Sequence, residues 1–399
     1  MNDALTESTL GEIFEISSSK RVLRKQWRKE GVPFYRAREI VKLARDGKVD
    51  NELFISEDLF RELTERFGSP QPGDLMVSAV GTLGACYVVQ PGDRFYFKDA
   101  SVIRLSPKQP VCPEYFRHAF RTKLILDQIN SGSGSTVGTF TISRAKKTKV
   151  PLPSLKEQKR IAAILDAADA LRAKRREALA QLDTLLQSTF LEMFGDPVSN
   201  PKGWRMLSLR ETRSKVQIGP FGSLLHKEDY VAGGIPLVNP MHIVGGEVQV
   251  GNDQTITPEK AESLSTYLLR AGDVVMGRRG EMGRCAIVST AAPQMLCGTG
   301  SLYFRPDPDE LIPDFLAQLL SSSPMRRHLE SLSQGVTMPN LNRTMVEELR
   351  VVVPPIETQR HFATIVQSIE QQKSRLRAHL NELDTLFASL QARAFAGEL

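Results

Sequence analysis

One long segment occurs twice in this chain. Residues 150–194 align without a gap on residues 351–395, with 13 identities in 45 positions. The tetrapeptide Leu-Asp-Thr-Leu stands in both copies, at 182–185 and at 383–386. Because two copies of one sequence are expected to fold into two copies of one structure, this repeat limits the possible folds more than any other feature.

The similarity continues into the segments that precede the repeat. Three stretches of the first half resemble three stretches of the second: GDLMVSAVGTLGACYVV (73–89) and GDVVMGRRGEMGRCAIV (272–288), GVPFYRAREI (31–40) and GIPLVNPMHI (234–243), GSTVGTF (134–140) and GVTMPNL (335–341). Each half is therefore predicted to be a globular head followed by a long helix. The expected boundaries are 1–153 for the first head, 154–195 for its helix, 196–354 for the second head and 355–399 for its helix.

Each long helix is predicted from an uninterrupted run without Pro or Gly, over 156–194 and 356–396. Apolar residues recur at spacings of three and four, as in a coiled-coil seam, so the two helices are expected to pack against each other. The residues expected to pair are Ile161, Ile164, Leu165, Leu179, Leu182, Leu186, Phe362, Ile365, Ile369, Leu380, Leu383 and Phe387. The same stripes include Leu171, Leu185 and Leu386.

The predicted fold class is α+β. Gly-Asp turns followed by apolar runs indicate strands, and 113–129 and 313–332 each begin with Pro and an acidic residue, which is typical of a helix start. We expect two similar mixed α/β domains separated by a long antiparallel two-helix coiled coil, related by a pseudo-two-fold axis. A helix of 40 residues spans roughly 60 Å, and duplex DNA repeats every ~34–36 Å, so two such heads suit two separated half-sites.

Composition excludes some classes of protein and leaves others open. No apolar run is long enough for a transmembrane helix, and the first 20 residues lack a basic-then-apolar signal, so a cytoplasmic location without membrane contact is expected. The four cysteines show no metal-binding spacing, so reduced and mostly buried thiols are expected. A net charge of +6 allows a polyanionic partner or only confers solubility.

Motifs for catalysis are not found in the sequence. There is no GxxxxGK[ST] or GxGxxG loop, no HxxxH pair and no evident acidic cluster for Mg²⁺. The glycine-rich stretch 131–138 has no lysine, and Asn-Pro-Met-His at 239–242 lacks the aromatic residue that would stack on a flipped base. We therefore expect no catalytic residue, no metal and no cofactor on this chain.

Residues that could read DNA stand in two loops of the second head. Arg278, Arg279 and Arg284 lie in GRRGEMGR, where the first two are matched by Ala79 and Val80 in the first head. They contact bases or are solvated turn arginines. The polar loop 334–343 is predicted to bind DNA or to support the start of the helix, and it offers Gln334, Thr337, Asn340, Asn342 and Arg343.

The densest basic stretch belongs to the first head. SSSKRVLRKQWRK (17–29) contains one tryptophan and the expected phosphate-binding residues Lys20, Arg21, Arg24, Lys25 and Arg28. The alternative for this stretch is a solvated helix face.

The order of these elements resembles that of the specificity subunit of type I restriction–modification systems. VPLPSLKEQKRIAAIL (150–165) matches the family's P-x-x-x-E-Q-K-R-I start of a helix, whereas VVVPPIETQRHFATIV (351–366) departs from it at Thr358 and Phe362. FGDPVSNPKGWRMLSL (194–209) is similar to the start of a target-recognition domain, which the first head lacks.

The resemblance implies a non-catalytic subunit with two target-recognition domains, each reading one half of a split sequence in double-stranded DNA while the paired helices set the gap. It also implies methyltransferase subunits with S-adenosylmethionine, and a restriction motor–nuclease subunit with ATP and Mg²⁺. Two other functions remain open: a coiled-coil scaffold whose heads bind protein, and a self-contained DNA methyltransferase.

Overall fold

The computed structural model describes residues 6–131, 138–332 and 340–399. These residues form two compact units. Unit 1 consists of the chain through Arg176 together with His379–Leu399, and unit 2 consists of Glu177–Ala378. Each unit therefore contains one head and one half of each long helix.

The first head is built from short strands and helices. Its strands are β1 (Thr6–Thr9), β2 (Phe14–Ser17), β3 (Val32–Tyr35), β4 (Phe54–Ile55), β5 (Leu75–Ser78), β6 (Cys86–Val88), β7 (Tyr96–Phe97), β8 (Val102–Pro107) and β9 (Lys149–Leu152). Its helices are α1 (Leu10–Ile13), α2 (Ala37–Asp46), α3 (Glu57–Phe67), α4 (Pro113–Ala119), α5 (Lys123–Asn130) and α6 (Ile142–Lys147). The first long helix, α7 (Leu155–Phe194), follows.

The second head repeats this plan with more strands. Its strands are β10 (Arg205–Ser208), β11 (Lys215–Ile218), β12 (Tyr230–Val231), β13 (Ile235–Val238), β14 (Ile243–Val244), β15 (Glu247–Val248), β16 (Thr255–Ile256), β17 (Val274–Gly277), β18 (Cys285–Ile287), β19 (Leu296–Cys297), β20 (Ser301–Arg305) and β21 (Arg350–Val353). Its helices are α8 (Pro258–Ser263), α9 (Pro313–Ser321), α10 (Ser323–Leu332) and α11 (Arg343–Glu347), followed by the second long helix, α12 (Ile356–Ala396).

The sheets of the two heads have the same topology. In the first head the strand order is β2-β8-β5-β6, and in the second it is β11-β20-β17-β18, antiparallel throughout. A second sheet joins β3 to β7 in parallel, as β13 joins β19. The pairs β1–β9 and β10–β21 lead into the long helices. The predicted fold class, two similar α+β domains with a long antiparallel helix pair, is confirmed.

The long helices run antiparallel within each unit. In unit 1, Arg160 near the start of α7 donates to the Leu399 carbonyl (2.6 Å), and Arg172 donates to Asp384 (2.6 Å). In unit 2, Lys373 lies 2.8 Å from Asp183, and the rings of Phe190 and Phe362 are 5.7 Å apart. The contacting residues therefore have increasing numbers along α7 and decreasing numbers along α12, as in an antiparallel pair.

These contacts explain the duplicated Leu-Asp-Thr-Leu. Asp183 and Asp384 occupy the same place in the repeat, and so do their partners Lys373 and Arg172. The motif thus supplies one equivalent interhelical ion pair to each unit. Burial opposes the charge of Lys373, but hydrogen bonds to Asp183 and Glu370 raise its pKa. The cation of each pair is largely buried and its aspartate is about half exposed, and such polar contacts between two apolar helices favour one register.

A glutamine present in both copies fastens the first turn of each helix to its head. Gln158 is buried, accepts from Cys112 N (3.0 Å) and donates to Pro153 O (2.9 Å). Gln359 is also buried, accepts from Ile312 N (3.0 Å) and donates to Pro354 O (2.9 Å). The side chain satisfies backbone groups that would otherwise be buried without partners.

The Gly-Asp turn before β5 and β17 is also stabilised by its side chain. Asp273 is fully buried, accepts from Arg270 N (2.8 Å), and receives both Nε and Nη2 of Arg305 (2.7 Å each). Asp74 accepts in the same way from Gln71 N (2.9 Å), whereas its arginine, Arg104, stays 3.9 Å away. The turn is shared, and the strong ion pair belongs to the second head.

The long helices complete the core of each head. In unit 1, Ile161, Leu165 and Phe387 are buried with the sheet and α4, together with Ala394 and Phe395. In unit 2, Leu186, Phe362 and Ile369 are buried in one cluster with Leu182 and Ile365 at its edge. The remaining predicted pairing residues are half-buried: Ile164, Leu179, Leu380 and Leu383.

Two details of the helices differ from the sequence expectation. Leu171, Leu185 and Leu386 are about half exposed (50%, 49% and 48%), because a 3.5-residue stripe drifts around a straight helix of 3.6 residues per turn. The helices predicted over 113–129 and 313–332 are each interrupted, at Thr122 and Ser322, whose hydroxyls accept from the backbone N of Ile125 and Met325. A capping hydroxyl starts a new helix there.

In the described parts of the chain, no helix is long and apolar enough to cross a membrane. The thiols of Cys86, Cys112, Cys285 and Cys297 are free and buried.

Candidate nucleic-acid interface

The second head contains a cleft that brings several predicted residues together. Its volume is about 550 Å³, and its walls come from the end of β11, the turn after β17 and the start of α11. The lining residues are Gln217, Ile218, Phe221, Arg278, Arg279, Asn340, Asn342, Arg343 and Thr344.

Backbone pairing explains why these distant segments meet. Arg278 and Arg279 directly follow β17. Asn340 forms an antiparallel bridge with Arg279, and Leu341 N donates to Arg278 O (3.0 Å). Asn340 and Leu341, which precede α11, are therefore held against the arginine turn.

Arg278 is the deepest charged residue of the cleft. Only 5% of its surface is exposed, so Arg278 is not the solvated turn arginine that the sequence left as an alternative. Its Nε donates to Thr299 O (2.9 Å), and its backbone N donates to Gly300 O (3.0 Å). Burial, and then the charge of Arg279, lower the pKa of the guanidinium, which nevertheless stays protonated at neutral pH.

The other predicted residues of this cleft have different surroundings. Arg279 is exposed, and the buried Oδ1 of Asn340 has no hydrogen-bond partner within the described residues. Asn342 caps α11 by accepting from Met345 N (2.9 Å), and Arg343 donates to Glu347 (2.6 Å). Asn342 therefore has a structural role, and Arg343 shares the carboxylate of Glu347 with Arg210. Arg279 is the exposed cation of the cleft. Gln334 and Thr337 lie outside the described residues.

Phe221 is a member of the cleft that the sequence analysis missed. It is 61% exposed and stands on the rim, in the segment that follows β11. Gly219 precedes it, where a Cβ would lie 1.9 Å from Gly298 O, so the chain must approach Gly298 closely at this point. An aromatic residue in Gly-Pro-Phe-Gly was the available signal, since such a ring has no core to join.

Arg284, in contrast, does not line this cleft. It forms an ion pair with Glu281 and faces a separate cleft beside the long helices, with Arg326 and Arg377. The structure therefore does not bring Arg284 together with Arg278 and Arg279.

The first head has the same backbone arrangement with different side chains. Val80 forms a bridge with Thr139, and Phe140 N donates to Ala79 O (2.9 Å), as in the second head. Ala79 is buried (1% exposed) where the second head has Arg278. Ile142 takes the place of Arg343. The two heads thus share this backbone arrangement, but its side chains form an apolar surface in the first head and a cationic surface in the second.

The basic segment of the first head follows β2 as the Phe221 segment follows β11. Lys20, Arg21, Arg24, Lys25 and Arg28 are all exposed. Of these residues only Arg24 and Lys25 are helical, in the short 3-10 turn Arg24–Gln26, so the alternative of a solvated helix face is wrong. The nearest carboxylate to Arg21 is that of Asp99, at 4.0 Å. Arg28 donates to Lys25 O (3.1 Å) and Trp27 O (3.0 Å), and Lys20 Nζ lies 5.5 Å from the centroid of the Phe67 ring.

The Asn-Pro-Met-His loop is held by hydrogen bonds within the second head. Asn239 donates to Gln254 (2.6 Å) and accepts from Gly300 N (3.2 Å), and His242 Nδ1 accepts from Asn239 N (3.1 Å). Over the described ranges, no group of three or more His, Cys, Asp or Glu side chains is placed to hold a metal ion.

Comparison with known proteins gives one consistent result. The type I restriction modification DNA specificity domain matches residues 2–181 and 217–384. A putative type I restriction enzyme specificity subunit of Haemophilus influenzae is 30% identical over 172 residues, which are 43% of this chain and 42% of that protein. The StySPI specificity subunit of Salmonella potsdam is 21% identical over 403 residues, covering 94% of this chain and 85% of that protein.

Solved structures share the fold. The type I restriction–modification S subunit from M. genitalium matches with a TM-score of 0.57 at 16% identity, over 99% of this chain and 97% of that one.

Proposed function

The chain belongs to the type I restriction–modification DNA specificity family, and from this premise we propose that it recognises a bipartite sequence in double-stranded DNA. Each head would read one half-site through the cleft after β5 or β17. The observation that carries this proposal is a backbone arrangement that both heads share but that bears different side chains. They are Ala79 and Val80 in the first head and Arg278 and Arg279 in the second. Two heads that recognise different half-sites are expected to differ in the residues that face the DNA, both in those that position the backbone and in those that contact bases.

We further propose that the long helices set the unread gap between the half-sites. The equivalent ion pairs Arg172–Asp384 and Lys373–Asp183 fix the register of α7 and α12 in each unit. A gap defined by a fixed helical register would tolerate no change in the length of the DNA between the half-sites.

In the proposed complex this chain supplies specificity and no catalysis. Methyltransferase subunits would bring S-adenosylmethionine, and a motor–nuclease subunit would bring ATP and Mg²⁺, all in the cytoplasm. The arginine and amide side chains of the cleft support the DNA-binding part of this division, since such side chains contact phosphates and bases.

The test is to map adenine methylation across the genome with and without this chain. A split motif should disappear on deletion and return with the intact gene. Synthetic duplexes whose gap is lengthened by one or two base pairs should then lose binding to the chain. Persistence of the motif after deletion would contradict the proposal, and binding that ignores the gap would favour a protein-binding scaffold over a bipartite reader.

Removing basic residues from the first head should weaken DNA binding without changing its specificity. The double substitution Lys20→Ala and Arg21→Ala removes two exposed cations, so all sequences should lose affinity alike. The slope of log K against log salt should fall by about 0.9 for each phosphate that the variant no longer neutralises. Salt titrations on a cognate and a scrambled duplex measure this, with exposed Lys123→Ala as the control that leaves both slopes unchanged. A loss confined to the cognate duplex would assign these residues to base reading.

A further inference from the structure

The buried guanidinium of Arg278 has no counter-charge. No carboxylate of the described residues lies within ion-pair distance of it, and Glu281, the acidic residue of the same loop, is paired with Arg284. The neighbouring stretch 333–339 contains no Asp or Glu in its sequence. A buried charge without a partner is costly, and arginine does not relieve the cost by losing its proton.

The surroundings of Arg278 add positive charge and do not remove it. Arg279 is the next residue and lines the same cleft, and its charge is one of the causes that lower the pKa of Arg278. Arg343 also lines the cleft, and it shares the single carboxylate of Glu347 with Arg210. Two uncompensated guanidinium groups at one cleft favour an anionic ligand over a neutral one.

The orientation of Arg278 is fixed by the protein. Its Nε is engaged by Thr299 O and its backbone by Gly300 O and Leu341 N, which leaves the two terminal nitrogens as the free edge of the fork. This edge matches two oxygens of one phosphate group.

The fold itself does not require an arginine at this position. The first head places Ala79 there, equally buried, with the same backbone bonds on either side. The charge is therefore a feature of the second head alone, and alanine is compatible with the frame.

We propose that Arg278 and Arg279 form an anion site in the second head that binds one phosphate of the DNA backbone, so that Arg278 positions the duplex and does not read a base. This inference rests on the proposed function, because the phosphate belongs to the DNA that the head recognises. It assigns Arg278 a role that differs from both roles considered from the sequence, base contact and solvated turn arginine. Phosphate contacts fix register on the duplex and carry no sequence information directly.

The experiment combines a protein variant with the removal of single phosphate charges. The full chain and its Arg278→Ala variant are titrated with cognate duplexes that carry one methylphosphonate linkage at successive positions of the second half-site. The wild type should lose about fivefold or more in affinity at one linkage. Arg278→Ala should show a comparable loss on the unmodified duplex and no further loss at that linkage. Base substitutions in the half-site should cost the variant as much as they cost the wild type.

Controls separate this inference from the proposed function. Arg360→Ala removes an exposed arginine of unit 2 that lies outside the cleft, and it should lose the same affinity as wild type at the sensitive linkage. If a base substitution at one pair weakened binding by the wild type but not by Arg278→Ala, Arg278 would be assigned to base reading and the inference would be wrong. The inference would also be wrong if the losses of affinity from Arg278→Ala and from the methylphosphonate were additive at every linkage. Failure of the wild-type chain to bind any cognate duplex would instead refute the proposed function.

Discussion

Replacing Phe362 with alanine should lower the free energy of unfolding of unit 2 by about 3–5 kcal/mol. Phe362 is fully buried in the second turn of α12. Its ring centroid lies 5.7 Å from that of Phe190 and 5.3 Å from that of Phe194, both on α7. The rings of Phe190 and Phe194 also contact Phe315 of α9. One truncation would therefore open a cavity where both long helices meet the head.

Urea denaturation followed by far-UV circular dichroism measures this loss. Phe221→Ala makes the same chemical change at a position that is 61% exposed, and it should change the free energy of unfolding by no more than about 0.5 kcal/mol. Phe362→Leu, which keeps most of the buried volume, should fall between the two. Equal effects of Phe362→Ala and Phe221→Ala would show that the aromatic cluster does not join the helices to the head.

Replacing Asp273 with asparagine should destabilise unit 2 by up to about 3 kcal/mol, because it removes the buried charge that pairs with Arg305, whose side chain is 24% exposed. Both hydrogen bonds from Arg305, donated by Nε and Nη2 to the carboxylate of Asp273, are 2.7 Å long, and Asp273 is fully buried. The repeat provides the matched control. Asp74→Asn changes the same turn in the first head, where the nearest nitrogen of Arg104 is 3.9 Å away, so its effect should be smaller.

Denaturant titration of both variants gives the comparison, and a third variant tests the cause. Substituting Arg305→Met together with Asp273→Asn removes the unpaired charge and should recover part of the stability. If Asp273→Asn and Asp74→Asn were equally destabilising, the backbone hydrogen bond of the turn, and not the ion pair, would be the source of the effect.

The sequence was sufficient for those features that are encoded locally or repeated. The long helices follow from uninterrupted apolar periodicity, and the duplicated heads follow from the shared glycines and the Gly-Asp turn. The role of Gln158 was not predictable, although its identity with Gln359 was evident, because its partner Cys112 lies 46 residues away. Lys373 was missed for a similar reason, since a lysine in a helix is ordinarily solvated and here its partner Asp183 comes from the other helix.

Several residues of the candidate site were identified from the sequence, but their burial was not. Arg278, Arg279 and the polar loop were identified from their divergence between the copies and their residue types. The burial of Arg278 depends on Thr299 and Gly300, which periodicity does not place beside it. Phe221 was overlooked because an isolated aromatic residue in a sequence is usually a core residue, and only its 61% exposure shows otherwise.

The division of each long helix between the units has a consequence for the order in which the protein is made. Unit 2 is a single stretch of chain, Glu177–Ala378, whereas the core of unit 1 includes Phe387, Ala394 and Phe395, which are synthesised after all of unit 2. On a ribosome, the first head therefore has an incomplete core until these residues have been translated. The second head can finish folding before the first head does. Early termination a few residues before Phe387 would damage the amino-terminal half of the molecule more than the half in which the stop codon lies.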